Sequence, residues 1–279
     1  MGVRPLLTPM VYEWMNRIRR WAIKWTWHQD LEARRLTVAG PPPRGAHSDE
    51  AHDAPKTPGP RGGLPLLAPL RAFVHQLATQ PRLWNLFRRI LEDNFKEEKK
   101  VIRRELLPRA RAAHARTGER PRILDLGCGT GELAPIFLRN GYNYVGIDIE
   151  APRIAYAQKV YPTGTFKVMD ATGLRFPDGY FDHILVTGVF HHLSDEEVSA
   201  ILVEMRRVLR PTGRALVMED TASGFKLNIL GALVHLADEG SFIRRAPQYE
   251  ALFTQQFQVR GAYCIRSGVC DYQVFVLEP

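Results

Sequence analysis

Apolar positions follow two rhythms along the 279-residue chain. In the front part they recur at three- and four-residue steps, the helical period. From Arg122 onward they gather in short runs that alternate with helical stretches. Val11, Trp14, Met15, Ile18, Trp21, Ala22 and Trp25 form the first stripe, which predicts a helix over Met10 to Leu36 with Arg17, Arg20 and Lys24 largely off the apolar face. Residues 39–69 hold eight prolines and five glycines and read as a flexible linker. Leu83, Leu86, Phe87, Ile90, Leu91, Phe95, Val101, Ile102 and Leu106 predict a second long helix from about Pro81 to His114, broken near Pro108. Its polar face is mostly arginine and lysine. It reads as a helix packed on the next domain, and a lid over an active site is compatible with that.

Behind Arg122 the pattern predicts strands at Ile123–Leu126, Tyr144–Ile149, Thr165–Met169, Phe181–Thr187 and Arg214–Met218, with Pro211-Thr212-Gly213 as the turn into the fifth. Helices are expected at about Thr130–Asn140, Pro152–Val160 and Asp195–Leu209, the last capped by Ser194 with Glu197 three residues on. Helical patterns follow at Phe225–Ala237 and Pro247–Phe257, then two strands at about Gln258–Cys264 and Tyr272–Leu277. Repeated βαβ units imply a parallel sheet covered by helices. The expected fold is α/β: a Rossmann-like, doubly wound, seven-stranded sheet with helices on both faces and an N-terminal helical extension. The expected segments are a basic, Trp-rich helix at 1–38, a linker at 39–69, a helical lid or packing region at 70–120 and the principal domain at 121–279.

Composition narrows this picture. Apolar residues make up 45% and charged residues 24%, enough for a full core and unlike a disordered chain. The longest apolar stretch, Leu227 to Ala237, is too short to span a bilayer. Three cysteines without a Cys-x-x-Cys pair or zinc spacing suggest neither a disulfide framework nor a metal site, and a reducing, cytoplasmic setting is expected. Met1 to Met10 does not read as a secretory signal. The net charge of +8 is uneven: 23 basic against 12 acidic residues in 1–120, and 15 against 18 in 121–279. The principal domain therefore need not bind a polyanion.

Candidate chemistry centres on Ile123-Leu124-Asp125-Leu126-Gly127-Cys128-Gly129-Thr130-Gly131-Glu132, where a buried strand runs into a glycine loop and then a helix. Glycines there let a ligand approach the backbone, and the helix start offers free amides. The spacing is G-x-G-x-G after an acidic residue, whereas dinucleotide sites use G-x-G-x-x-G.

With these residues the chain resembles the class I S-adenosylmethionine-dependent methyltransferases, in particular the small-molecule group of the ubiquinone and menaquinone C-methyltransferases. The likeness covers about residues 120–220 well and extends more loosely to 279. It implies S-adenosyl-L-methionine as cofactor, with Asp125, Gly127, Cys128, Gly129 and Gly131 around its methionine end. Asp148, closing Val145-Gly146-Ile147-Asp148, would hold the ribose hydroxyls, with Ile149 against adenine. Asp170 and Ala171 would meet the adenine edge, and Thr187 and Gly188 the methionine part. The plain alternatives are a helix-capping role for Asp148 and a turn role for Asp170. Thr212-Gly213 stands where the family usually has Gly-Gly.

Methyl transfer asks the protein to align the acceptor and exclude water, and a hydroxyl or activated carbon acceptor also needs a base. His191 and His192, after the fourth strand, and Glu219 and Asp220, ending the fifth, are the candidates, with substrate shaping the alternative for the histidines. His235 and Asp238 read as packing residues. No Asn/Asp-Pro-Pro-aromatic or Pro-Cys motif follows the fourth strand, and no paired-glutamate loop is present, which argues against DNA bases and protein arginine as acceptors. The apolar stretch Phe225–Val234 favours a small, apolar or lipid-like acceptor, or contact with the helix at 81–114. Two competing readings are an RNA methyltransferase using the basic front and a non-catalytic cofactor-binding scaffold.

The tryptophans and arginines of residues 10–36 suit a membrane surface, which would place the catalytic domain near a lipid-soluble acceptor. Docking on the protein or a partner and a cleaved targeting peptide are the alternatives; Glu13, Asp30 and Glu32 fit the last poorly. If the helix is a membrane anchor, the full chain should co-sediment with anionic vesicles in a salt-sensitive way and a chain starting near Leu64 should not. Equal binding by both, or by neither, refutes the anchor.

Overall fold

The computed structural model describes residues 80–221 and 242–279. The expected helix at 10–36, the linker at 39–69, the apolar stretch 225–237, His235 and Asp238 lie outside the described residues.

The front segment forms α1 (Pro81–Leu91), a short 3-10 turn (Asp93–Phe95), α2 (Lys96–Glu105) and α3 (Leu107–Thr117). The break near Pro108 falls at Leu106. A second break was not expected: Asp93, Asn94 and Phe95 have φ of 47°, 59° and 56°. Three consecutive non-glycine residues in the left-handed region carry a cost of roughly 1–2 kcal/mol each, so packing must hold them. The Phe95 ring is buried, with the Arg88 guanidinium 5.0 Å from its centroid.

Strands β1 (Arg122–Leu126), β2 (Asn143–Asp148), β3 (Thr165–Val168), β4 (Phe181–Thr187), β5 (Leu209–Asp220), β6 (Gln258–Ser267) and β7 (Cys270–Glu278) form one sheet in the order β3-β2-β1-β4-β5-β7-β6. The first five are parallel. The sheet as a whole is mixed, because β7 runs antiparallel to β5 and to β6. A short hairpin joins β6 to β7, and a connection of that length permits only antiparallel pairing. β5 begins earlier than expected, at Leu209. Its pairing with β4 jumps from Phe181↔Leu209 to His183↔Arg214, so Pro211-Thr212-Gly213 sits in a bulge rather than ahead of the strand.

Helices α4 (Ala134–Leu138) and α5 (Ala151–Val160) share one face of the sheet with α2 and α3 through Val101, Ile102, Leu106, Phe137 and Ile154. Helices α6 (Asp195–Val208) and α7 (Ala246–Phe253) cover the other through Val198, Leu202, Met205, Tyr249 and Phe253. α4 is shorter than expected because Gly131, at φ 77°, keeps the start of that stretch out of the helix. α6 has the full capping box: the Glu197 amide donates to Ser194 Oγ at 3.3 Å, and the Ser194 amide donates to Glu197 Oε2 at 2.8 Å.

The strand order reverses between β1 and β4. Connections diverge there, and a cleft opens at the carboxyl ends of these two strands. The β6–β7 turn holds the front segment at that end of the sheet. The Val269 amide donates to the Leu91 carbonyl at 2.9 Å, and Ser267 Oγ lies 2.9 Å from the Glu92 carbonyl and 2.6 Å from Glu98 Oε2. A Cβ on Gly268, at φ 60°, would stand 1.8 Å from the Leu91 carbonyl oxygen.

Gly268→Ala should therefore destabilise the fold by at least about 1–2 kcal/mol from the backbone alone and loosen residues 81–105. Thermal unfolding and limited proteolysis check this. An unchanged melting temperature with no new cleavage in 81–105 would show that this contact does not hold the segment.

Candidate active site

The glycine loop leaves β1 at Leu126 and turns at once into the cleft. Gly127 has φ 71°, and a Cβ there would sit 2.3 Å from Val189 Cγ2, so the loop can lie against the turn after β4 only with glycine. Gly129, at φ 52°, has open space where its Cβ would point, and its amide donates to Asp148 Oδ2 at 2.8 Å. Asp148 Oδ1 accepts the Glu150 amide at 2.9 Å. Asp148 thus closes the turn ahead of α5, whose start has no side-chain cap, and it ties the loop to the end of β2. Gly131 is likewise left-handed, and a Cβ there would meet the Phe166 ring at 2.9 Å. The Cys128 amide donates to the Ile147 carbonyl at 2.9 Å, while burial pushes the Cys128 thiol up, away from thiolate chemistry.

Asp125 lies beneath the loop, buried, and accepts a 2.6 Å hydrogen bond from the Tyr144 hydroxyl. Burial pushes its carboxyl up to about 7; the Tyr144 bond opposes the shift and the Asp148 charge adds to it. Thr187 and Gly188 face the loop across the cleft from the end of β4. Asp125, Gly127, Cys128, Gly129, Thr187 and Gly188 line one pocket, and Thr187 Oγ1 is buried there without a hydrogen-bond partner. Ile149 follows Asp148 with 72% of its surface exposed, unusual for an isoleucine. Asp170 is exposed. Hydrogen bonds from the Thr172 amide and hydroxyl, both 2.8 Å, hold its carboxyl below the usual range, and Ala171 beside it packs on the core.

The two histidines diverge. His192 is exposed, whereas His191 is buried between two carboxylates, with Nδ1 3.0 Å from Glu219 Oε2 and Nε2 3.7 Å from Asp220 Oδ2. Glu219 is fully buried and also accepts the amides of Val189 at 2.9 Å, Phe190 at 3.0 Å and His191 at 3.3 Å. Those bonds occupy both of its oxygens in shaping the turn after β4, so of the two acidic residues ending β5 it is the scaffold and Asp220 the candidate for chemistry. Arg244, also buried, fastens the same turn from the far side. It donates to the Phe190 and Leu193 carbonyls and to Asp195 Oδ1, each at 2.7 Å.

Three residues around the pocket escape a reading of the sequence. Asn85, Arg88 and Phe95 sit in what the period presents as an amphipathic packing helix, and Arg88 and Phe95 line the pocket. The only signal was Asn85, a polar residue adjoining the apolar stripe. Among the described residues, no group of three or more His, Cys, Asp or Glu could hold a metal ion, and no helix is long and apolar enough to cross a membrane.

An unfolded Asp titrates near 3.9. With the folded value raised to about 7, folding favours the protonated form. That contribution to stability is complete below about pH 4 and is lost as pH rises through about 7. In the cofactor-free protein Asp125→Asn should raise the melting temperature near pH 8 and change it little near pH 4. Thermal unfolding across that range tests the assignment, and a shift independent of pH would contradict it.

Residues 124–217 match the model of a family described as a methyltransferase domain. The demethylmenaquinone methyltransferase of Thermus thermophilus is 38% identical over 104 residues, covering 35% of this chain and 46% of that protein. The 2-methyl-6-phytyl-1,4-hydroquinone methyltransferase of Synechocystis sp. is 36% identical over 101 residues, covering 35% of this chain and 31% of that protein. A solved SAM-dependent methyltransferase from Methanosarcina mazei aligns with a TM-score of 0.48 and 21% identity over 57% of this chain and 93% of that one. The chain spans less than half the length of the two curated relatives. Residues 124–217 are a methyltransferase domain of the class I, S-adenosylmethionine-dependent type, and in that stretch the chain resembles the quinone C-methyltransferases.

Proposed function

We propose that this chain methylates a small, lipid-like aromatic acceptor of the quinol type, on carbon or oxygen, with S-adenosylmethionine as donor. The observation that carries the reading is the pocket at the strand-order reversal, where a left-handed glycine loop faces a buried carboxylate and a buried, unpartnered hydroxyl. These groups fit the cofactor: the Asp125 carboxylate suits an ammonium, Thr187 Oγ1 lacks a partner, and the loop brings backbone close. The quinone-derived substrates in the names of the two relatives support the acceptor class.

When bound, S-adenosylmethionine supplies a methyl group on a sulfonium, with a neutral thioether as leaving group. The protein's part is to hold and orient. Asp125 takes the ammonium. Gly127, Cys128, Gly129 and Gly131 shape the loop against the methionine end, with Thr187 and Gly188 opposite. Asp148 accepts the ribose hydroxyls with the lone pairs that Gly129 and Glu150 leave open. Ile149 lies against adenine, and Asp170 with Ala171 meets its edge. Glu219 accepts from His191 Nδ1, which leaves Nε2 as the basic nitrogen of the neutral ring. His191 Nε2 and Asp220 together form a place for the proton that the acceptor loses, and His192 shapes the acceptor side.

Calorimetry should detect S-adenosylmethionine binding that Asp148→Ala weakens by about 10–100-fold, the scale of lost hydrogen bonds to a charged group. Tight NAD binding without S-adenosylmethionine binding overturns the reading. With a demethylmenaquinol as acceptor, Asp220→Asn or His191→Ala should lower turnover by about 10²-fold at nearly constant cofactor affinity. Full turnover in both variants removes the pair from the chemistry.

A further inference from the structure

The glycine loop and the strand ends do not close the pocket by themselves. Arg153 of α5 adds to the lining, and Arg88 of α1 and Phe95 of the 3-10 turn complete it from outside the stretch that matches the methyltransferase family. α1 is keyed to the loop by buried Asn85, which donates from Nδ2 to Glu132 Oε1 at 2.9 Å and accepts the Thr130 hydroxyl on Oδ1. Arg89 Nε adds a 2.7 Å bond to Glu132 Oε2. Thr130 and Glu132 flank Gly131, so α1 is fixed in register with the loop itself.

One turn beyond Asn85, Arg88 reaches the pocket beside Asp125, Gly127 and Gly188. Its guanidinium is held from two sides. Nε and Nη2 donate to Glu92 at 2.7 and 3.1 Å, and Phe95, fixed by the left-handed turn, places its ring under the guanidinium. Glu92 takes two of the five N–H donors, and the Tyr272 hydroxyl stands beside the group. Glu92 occupies the Nε/Nη2 edge, so the donors it leaves are those of Nη1 and the second Nη2 hydrogen, a pre-oriented edge that meets a carboxylate end-on.

The amino-acid end of the cofactor is a zwitterion, and a pocket that binds it needs an anion and a cation. Asp125 supplies the anion. We propose that Arg88 supplies the cation and binds the α-carboxylate of the cofactor, so that α1 delivers a cofactor-binding residue to a domain that does not contain it. This rests on the reading of the pocket as the cofactor site. Arg153 is the rival. It also lines the pocket, its Nε is buried without a hydrogen-bond partner, and its Nη2 pairs with Glu150 Oε1 at 2.9 Å. But it stands on α5, just after Asp148, on the side assigned to the ribose.

A ligand lacking the amino-acid end separates the two arginines. The full chain and its Arg88→Gln, Arg88→Lys and Arg153→Gln variants are titrated with S-adenosylhomocysteine and with 5′-methylthioadenosine, which keeps the adenosine and the sulfur but has neither carboxylate nor ammonium. Arg88→Gln should weaken S-adenosylhomocysteine by about 10–100-fold and 5′-methylthioadenosine by less than about threefold. Arg88→Lys, which keeps the charge and loses the fork, should fall between, and it carries the test if Arg88→Gln does not fold. Equal losses for both ligands would mean that Arg88 only supports the wall, and would overturn the proposal. So would a selective loss in Arg153→Gln with none in the Arg88 variants. Binding of neither ligand by the unsubstituted chain would overturn the cofactor reading and this assignment with it, a result distinct from either of the others.

Discussion

The Asp148 carboxylate is the joint on which the pocket depends. It accepts the Gly129 amide on one oxygen and the Glu150 amide on the other, so a single side chain at the end of β2 fixes the glycine loop and the turn that leads into α5. Without it the loop would have little reason to stay in its left-handed course, because glycines resist no conformation. Asn85 and Arg89 hold the far end of the loop through Thr130 and Glu132. A flexible sequence becomes a rigid cradle because charged and polar side chains from two separate elements, β2 and α1, converge on it.

Buried carboxylates repeat this role elsewhere. Glu219 accepts three successive amides after β4 and orients His191, while Arg244 holds the carbonyls of the same turn. Glu98, buried beneath the front segment and bonded to Ser267, has its carboxyl pushed up to about 8 by burial and by the neighbouring Glu92 charge. The same burial that makes Asp125 costly as an anion makes it receptive to an ammonium. One wall of the pocket thus presents the Asp125 carboxyl and the other the Arg88–Glu92 pair, in a low-dielectric setting where charge complementarity counts for more than it does in water.

Periodicity and turn chemistry made most of the α/β order legible. β1, β4 and α6 fall almost where the apolar runs and the Ser194–Glu197 cap put them, because strand burial and helix capping are local signals. Gly127, Gly129, Asp148 and Asp125 were legible for the same reason, since close backbone approach and a strand-end carboxylate leave marks in adjacent residues. The left-handed turn at Asp93–Phe95 left only the Asp93-Asn94 pair, two residues that tolerate that region, inside an otherwise helical stripe; Phe95 does not share that tolerance, and its burial and the approach of Gly268 to the Leu91 carbonyl account for it.

Among the described residues, the chain by itself determined the type of the principal elements and the glycine loop between β1 and α4, which follow from contacts between near neighbours in sequence. Only the tertiary structure decided how residues far apart divide their work. The two histidines look equivalent in sequence, yet one is clasped between Glu219 and Asp220 and the other faces solvent. Arg88 and Asn85 look like the polar face of a packing helix, yet they stand against the glycine loop some forty residues away. Such roles arise from pairings at long separation, set by the sheet's strand order and by the β6–β7 turn that pins the front segment, and no local pattern of apolar and polar residues encodes them.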